Sequence, residues 1–187
     1  MIQIPIKNLY YLIAYACKIL DVKCLTPISN QKIDTPLNLL ADLYLRSVKS
    51  VFNNGIYREY HNRSSVGAPV RGKIDLNTSI KTGELASKRL YFEEDELTHD
   101  ILLNKILKST GQLLIGCEIV PKIRRQIVKI LANFCGVSDV KQIEKEIRRV
   151  RLNRNSRYYK SALAICSLCA RNLFVNPDHF TSRQDNL

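Results

Sequence analysis

The densest group of side chains able to do recognition chemistry lies between Arg148 and Tyr159. Arg148, Arg149, Arg151, Arg154 and Arg157 are interleaved there with Asn153, Asn155, Tyr158 and Tyr159. Guanidinium forks donate paired hydrogen bonds to phosphates or carboxylates, amides reach base edges, and tyrosine rings stack. Such a set suits a nucleic-acid backbone and an acidic protein groove equally well. The wider stretch Lys122–Lys160 carries twelve Lys and Arg against three acids, so most of the chain's net charge of +12 resides there.

Chemistry that breaks bonds is harder to find. His61, His99 and His179 are far apart and none accompanies a G-x-S-x-G nucleophile. No G-x-x-x-x-G-K-[ST] phosphate loop occurs, so no nucleoside triphosphate cofactor is expected. A metal-dependent nuclease needs carboxylates converging on a divalent ion, commonly with a lysine two residues after the second acid. Asp75 could be the first such ligand, but the following acidic run Glu93-Glu94-Asp95-Glu96 has no lysine at that spacing. That run, ending at Thr98, is instead expected to stand at the N-terminus of a helix, where the dipole favours negative charge. Cys166 and Cys169 form one C-x-x-C with neither a second pair nor histidines at zinc spacing, so they read as core residues of a helix, with no metal site.

The elements that must position these residues read as α+β: predominantly helical, with a small antiparallel hairpin or three-stranded sheet near residues 56–93. Apolar spacing marks helices over Lys7–Leu20, Pro36–Phe52, His99–Ile115, Pro121–Phe134, Asp139–Val150 and Ser156–Phe174. Leu39, Leu40, Leu43, Ser47 and Val51 form the inward stripe of the second, which Asn53-Asn54-Gly55 ends. Residues 56–65 and 69–80 read as paired strands around Gly67-Ala68-Pro69, followed by a third strand over 89–93. Residues 1–175 are expected to form one region of helices with a β insertion, and 176–187 a polar tail. The hydrophobic fraction of 45% and charged fraction of 25% are those of a folded, soluble protein. No apolar run reaches the roughly 20 residues that cross a bilayer, and six cysteines placed mostly in apolar helical stretches fit reduced thiols in the cytoplasm. No membrane partner is expected.

Four segments, in order, carry a resemblance. They are I-x-N-L-Y-Y-L-I-A-Y-A from Ile6 to Ala16, V-R-G-K-I-D from Val70 to Asp75, D-E-L-T-H-D-I-L-L-N-K-I-L-K from Asp95 to Lys108, and L-N-R-N-S-R-Y-Y-K-S-A-L-A-I-C from Leu152 to Cys166. The last resembles the L-x-R-x-N-x-x-Y-x-x-A-L-x-L-A segment of the McrC family, with Arg154 and Asn155 adjacent where the family pattern separates them. McrC is the partner subunit of the McrB motor in modification-dependent restriction. The resemblance implies the N-terminal half of a protein about twice this long, docked on a hexameric AAA+ GTPase and stimulating it, with the PD-(D/E)xK nuclease in the other half.

The expected function is therefore a non-catalytic regulatory and assembly part of a McrBC-like system, its partner a McrB-like AAA+ GTPase. The alternative is a basic module that binds DNA independently of any motor. On either reading the contact residues are Arg71, Lys73, Arg148, Arg149, Arg151, Asn153, Arg154, Arg157 and Tyr158.

Overall fold

The structure is a computed structural model that describes Asn8 and residues 35–175, apart from 69, with side chains described to Arg171. The expected helix at Lys7–Leu20, the tail beyond residue 175, Cys17, Cys24 and His179 lie outside the described residues. The chain divides into two compact units, a helical one built from the segments up to Tyr57 and from Leu102 onward, and a second spanning Arg58–Ile101.

The centre of the helical unit is α1 (Pro36–Asn54). Thr35 caps it, its hydroxyl accepting from Asn38 N at 3.3 Å, and Pro36 occupies a first-turn position where no backbone N–H is missed. Gly55 ends it at φ 90, a conformation that strains other residues. Leu39, Leu40, Leu43, Ser47 and Val51 are all buried, as the stripe requires, and so are Tyr44, Leu45 and Val48. Against α1 pack α3 (Leu102–Ile115), α4 (Pro121–Leu131) and α6 (Lys160–Val175), while α5 (Ile143–Arg149) packs on α3 and α6. Leu103, Ile106, Leu107 and Leu114 of α3 and Ile123, Ile127 and Ile130 of α4 close the core with Ala162, Ile165, Cys166, Cys169 and Ala170 of α6.

Among the described residues the buried side-chain polar atoms of this core have hydrogen-bond partners, Arg124 Nε excepted. Tyr44 donates its hydroxyl to Leu107 O at 2.8 Å, and burial pushes its pKa well above the usual value. A Cβ on Gly111 would lie 2.6 Å from that hydroxyl oxygen and 2.8 Å from Leu131 Cδ2, so the close approach of α3 requires a glycine there. Cys166 and Cys169 are buried on α6, as expected of core residues, and desolvation raises the Cys166 thiol to about 12. Such a thiol supplies almost no thiolate nucleophile at neutral pH.

The second unit holds β1 (Glu59–Gly67), β2 (Lys73–Asp75), α2 (Leu76–Lys81) and β3 (Leu90–Thr98). Its sheet is antiparallel in the order β1-β3-β2. The α+β class with a small three-stranded sheet is therefore found, but the pairing differs from expectation. Residues 56–65 and 69–80 do not pair with each other; both strands pair with β3, Glu59 opposite Thr98 and Lys73 opposite Glu93.

The expected strand over 69–80 is also cut to three residues. Asp75 caps a helical turn, its carboxylate accepting from Thr78 N at 3.0 Å and Thr78 Oγ1 at 2.5 Å, which stops the ladder and starts α2. Those hydrogen bonds depress its pKa. Ser79 is buried and bridges α2 to the sheet, its hydroxyl donating to Asp75 O and accepting from Tyr91 N.

The acidic run 93–96 is not at a helix N-terminus. It lies within β3, where Ser64, Arg63, Asn62 and His61 of β1 stand opposite its four residues in turn. A row of carboxylates tolerates a central strand when cations and hydroxyls face it. Arg63 Nη1 reaches Glu96 Oε2 at 3.3 Å, and Ser65 Oγ donates to Glu94 Oε1 at 3.3 Å.

Candidate partner-binding surfaces

The arginine-rich segment separates into two parts with different roles. In α5, a seven-residue helix, Arg148 Nη2 pairs with Glu144 Oε1 at 2.9 Å and Arg149 Nη1 with Glu146 Oε1 at 3.0 Å. Their spacings of four and three residues place each pair on one helix face. Arg171 of α6 also reaches Glu144, at 3.3 Å. These two arginines, expected as contact residues, thus have much of their charge balanced within the fold.

After Val150 the chain runs extended and then folds into a turn that Asn153 and Ser156 lock. Asn153 Oδ1 accepts from Ser156 N and Ser156 Oγ, both at 2.8 Å, while Asn153 N donates to Ser156 Oγ at 3.1 Å. Ser156 is buried, so this closed set of bonds fixes the turn.

Asn153 Nδ2 donates to Tyr57 Oη at 2.9 Å, and Tyr158 donates its hydroxyl to Gly55 O at 2.7 Å. Tyr159, fully buried, donates to Asn104 Oδ1 at 2.7 Å and accepts from Tyr57 N at 3.0 Å, and Asn104 Nδ2 donates to Tyr57 O at 3.0 Å. Burial raises the pKa of both tyrosines 158 and 159. Three parts of the helical unit, the exit of α1, the first turn of α3 and the turn before α6, are therefore bound into one network. Asn153 and Tyr158, expected among the contact residues, thus have partners for their polar groups within the fold.

What this framework presents outward is Arg151, Arg154 and Arg157, with Asn155 and Lys160. All five are exposed. None of the three arginines has a carboxylate partner among the described residues.

Arg71 and Lys73 belong to the other unit and are likewise exposed. Gly72 between them has φ 89, and a Cβ there would stand 2.2 Å from Glu93 O, so the backbone lies flat against β3. An open concavity of about 450 Å³ beside them is lined by Lys73, Ile74, Asp75, Leu76, Asn77 and Glu93. Asp75 has its oxygens engaged in the α2 cap, and among the described residues no three His, Cys, Asp or Glu side chains cluster as metal ligands do.

Composition and motif spacing did not reveal a further property of this unit. Seven of the eight large apolar side chains exposed among the described residues lie in it: Tyr60, Val66, Ile74, Leu76, Ile80, Leu85 and Leu97. Tyr60 and Leu97 face each other across β1 and β3, and Leu76 and Ile80 follow at helical spacing on α2. The partial alternation over residues 70–76 was the visible sign, but it reads equally as a half-buried strand.

Residues 6–183 match the family model described as McrBC 5-methylcytosine restriction system component. The chain belongs to this McrBC family. It is similar to the type IV methyl-directed restriction enzyme EcoKMcrBC of Escherichia coli K12, 24% identical over 170 residues, which cover 90% of this chain and 49% of that protein. Its fold is shared with a chain of the Thermococcus gammatolerans McrBC complex solved by cryo-EM, with a TM-score of 0.70 and 18% identity over 90% of this chain and 54% of that one. A half-complex from a tetradecameric assembly of McrB AAA+ hexamers with bound McrC, from the same organism, also matches, with a TM-score of 0.70 and 16% identity over 86% of this chain and 41% of that one. The chain thus spans about half the length of the McrBC relatives it matches. Among the described residues no helix is long and apolar enough to cross a membrane.

Proposed function

We propose that this McrBC-family chain is a regulatory and assembly element of a modification-dependent DNA restriction system, acting in the cytoplasm by docking on a McrB-like AAA+ GTPase and raising its rate of GTP hydrolysis. The observation that carries the reading is the uncovered apolar surface of the Arg58–Ile101 unit. A unit of this size gains stability by burying its large apolar side chains, and leaving this many of them exposed marks a unit covered by another macromolecule. Arg71 and Lys73 add cations beside that surface, suited to carboxylates or phosphates on the partner. Family membership and a fold shared with a chain from assemblies of McrB hexamers and McrC support a motor of that class as the partner. In this reading the chain supplies no catalytic residue of its own.

The test is GTP turnover by a McrB-like AAA+ protein from the same source as this chain, measured while the 187-residue chain is titrated in. Saturable stimulation is expected. Unchanged turnover, together with no co-migration on size exclusion, would remove the proposal.

A further inference from the structure

We propose that Arg151, Arg154 and Arg157, with Lys160, form a second interaction surface that binds the sugar–phosphate backbone of a nucleic acid without reading its sequence. It lies on the helical unit and does not depend on the motor-docking reading.

Three features of the turn favour this partner. First, the cations have no carboxylate partner among the described residues, whereas Arg148 and Arg149 just upstream already hold Glu144 and Glu146. Guanidiniums without carboxylates nearby are free to neutralise phosphates and release counterions. Second, the backbone that carries them is fixed by the Asn153–Ser156 bonds and the tyrosine contacts. Binding then costs side-chain ordering but little loop ordering.

Third, the surface has no apolar centre: none of the exposed large apolar side chains among the described residues lies between Val128 and Arg171. A stable protein interface is built around desolvated apolar or aromatic anchors, whereas protein–nucleic-acid interfaces are more polar and far more positive. A nucleic acid is therefore favoured over an acidic protein.

The same geometry explains why no sequence would be read. An arginine reads a base only when supporting groups aim it into a groove, and the nearby amide of Asn153 and hydroxyl of Tyr158 are instead tied to Tyr57, Ser156 and Gly55. What remains, Asn155 apart, is exposed cationic side chains, and contacts from these to phosphate fix position without carrying base information.

The experiment is fluorescence anisotropy of the 187-residue chain with a labelled duplex, run from 50 to 200 mM salt. Three phosphate contacts, each contributing about 0.9 to the log–log slope, lower affinity by at least about 40-fold across that range. The combined variant Arg151→Ala, Arg154→Ala, Arg157→Ala is expected to lose about two to three from the slope. The matching Lys variants should keep it, because charge is retained. Arg148→Ala with Arg149→Ala should change it by less than one. Two duplexes of unrelated sequence, methylated or not, should bind alike. The side chains are exposed, and a circular dichroism melt verifies that each variant is folded.

Absent duplex binding at 50 mM salt would overturn the proposal, as would an unchanged slope in the triple Ala variant. Displacement of the duplex by poly-glutamate of equal charge at equal concentration would also overturn it, in favour of an acidic protein surface.

Discussion

The helical unit and the Arg58–Ile101 unit differ in how they use apolar side chains. In the first, Leu39, Leu43, Tyr44, Ile106, Leu107, Ile127 and Ile165 are removed from solvent almost completely, and the polar groups among them find partners within the unit. In the second, Phe92 is the large aromatic side chain that is buried, while residues as big as Tyr60 and Ile80 remain 72% and 63% exposed. Both units carry exposed cations, Arg151, Arg154 and Arg157 in one and Arg71 and Lys73 in the other. The lesson is that positive charge alone does not distinguish their partners; the presence or absence of apolar surface beside it does. Cations without an apolar anchor fit phosphates, and cations beside an apolar face fit a protein.

The comparison can be broken first in the helical core. Leu107 is fully buried in α3, and Leu107→Ala should destabilise the chain by about 2–5 kcal/mol through lost burial and the cavity left behind, read by urea denaturation. A loss below about 1 kcal/mol would mean that α3 is not the tightly packed element described. Next comes the network behind the arginine turn. Asn104→Ala leaves Tyr57 O and the Tyr159 hydroxyl short of a partner and should cost about 1–3 kcal/mol. It should also raise hydrogen-exchange rates in residues 152–159 while leaving those of β3 unchanged.

Gly72→Ala sharpens the description of the other unit. Its positive φ and the clash with Glu93 O should cost about 1–3 kcal/mol locally. The expected readout is faster amide exchange across the β2–β3 pairing, with α1 and α3 protected as before. Global unfolding at the same midpoint for every amide would show that the two units do not open separately. The smallest effect belongs to Arg63→Ala. Its pair with Glu96 is exposed, and such pairs contribute at most about 1 kcal/mol, so thermal stability should scarcely move.

Much of the helical unit could be read from spacing, because its signals are redundant. Thr35 before Pro36, the stripe from Leu39 to Val51, and Gly55 after two asparagines all point to one helix with defined ends. Pro121 and Gly136 bracket α4 and the short turn after it in the same way. The β unit was less legible, since a few residues decide it. Asp75 followed three positions later by Thr78 is a capping pattern, and it prevailed over the alternation of Val70, Gly72, Ile74 and Leu76. The run Glu93–Glu96 has the composition of a helix start, but strand pairing depends on what faces it across the sheet, and that information lies 30 residues away in Asn62 and Arg63.

The arginine segment stood out at once for its charge. Helical spacing already sets Glu144 and Glu146 beside Arg148 and Arg149, but the partners of Asn153 and Tyr158 could not be read, because Tyr57 and Gly55 reach them only through the fold. Nor could spacing show that seven large side chains of the β unit stay uncovered, since an amphipathic pattern has the same form whether its apolar face is buried or waiting for a partner.

The central claim is that the β unit docks on the motor through its exposed apolar side chains, Leu76 and Ile80 of α2 among them. It is tested most directly by GTP turnover of the cognate AAA+ protein with three chains: wild type, Leu76→Ser with Ile80→Ser, and the triple Arg151→Ala, Arg154→Ala, Arg157→Ala variant. Stimulation by the wild type and the arginine variant, with at least about a tenfold higher half-saturating concentration for the serine variant, corresponding to about 1.4 kcal/mol of lost contact, is the result expected. Equal stimulation by the wild type and the folded serine variant, or none by any of the three, would contradict it.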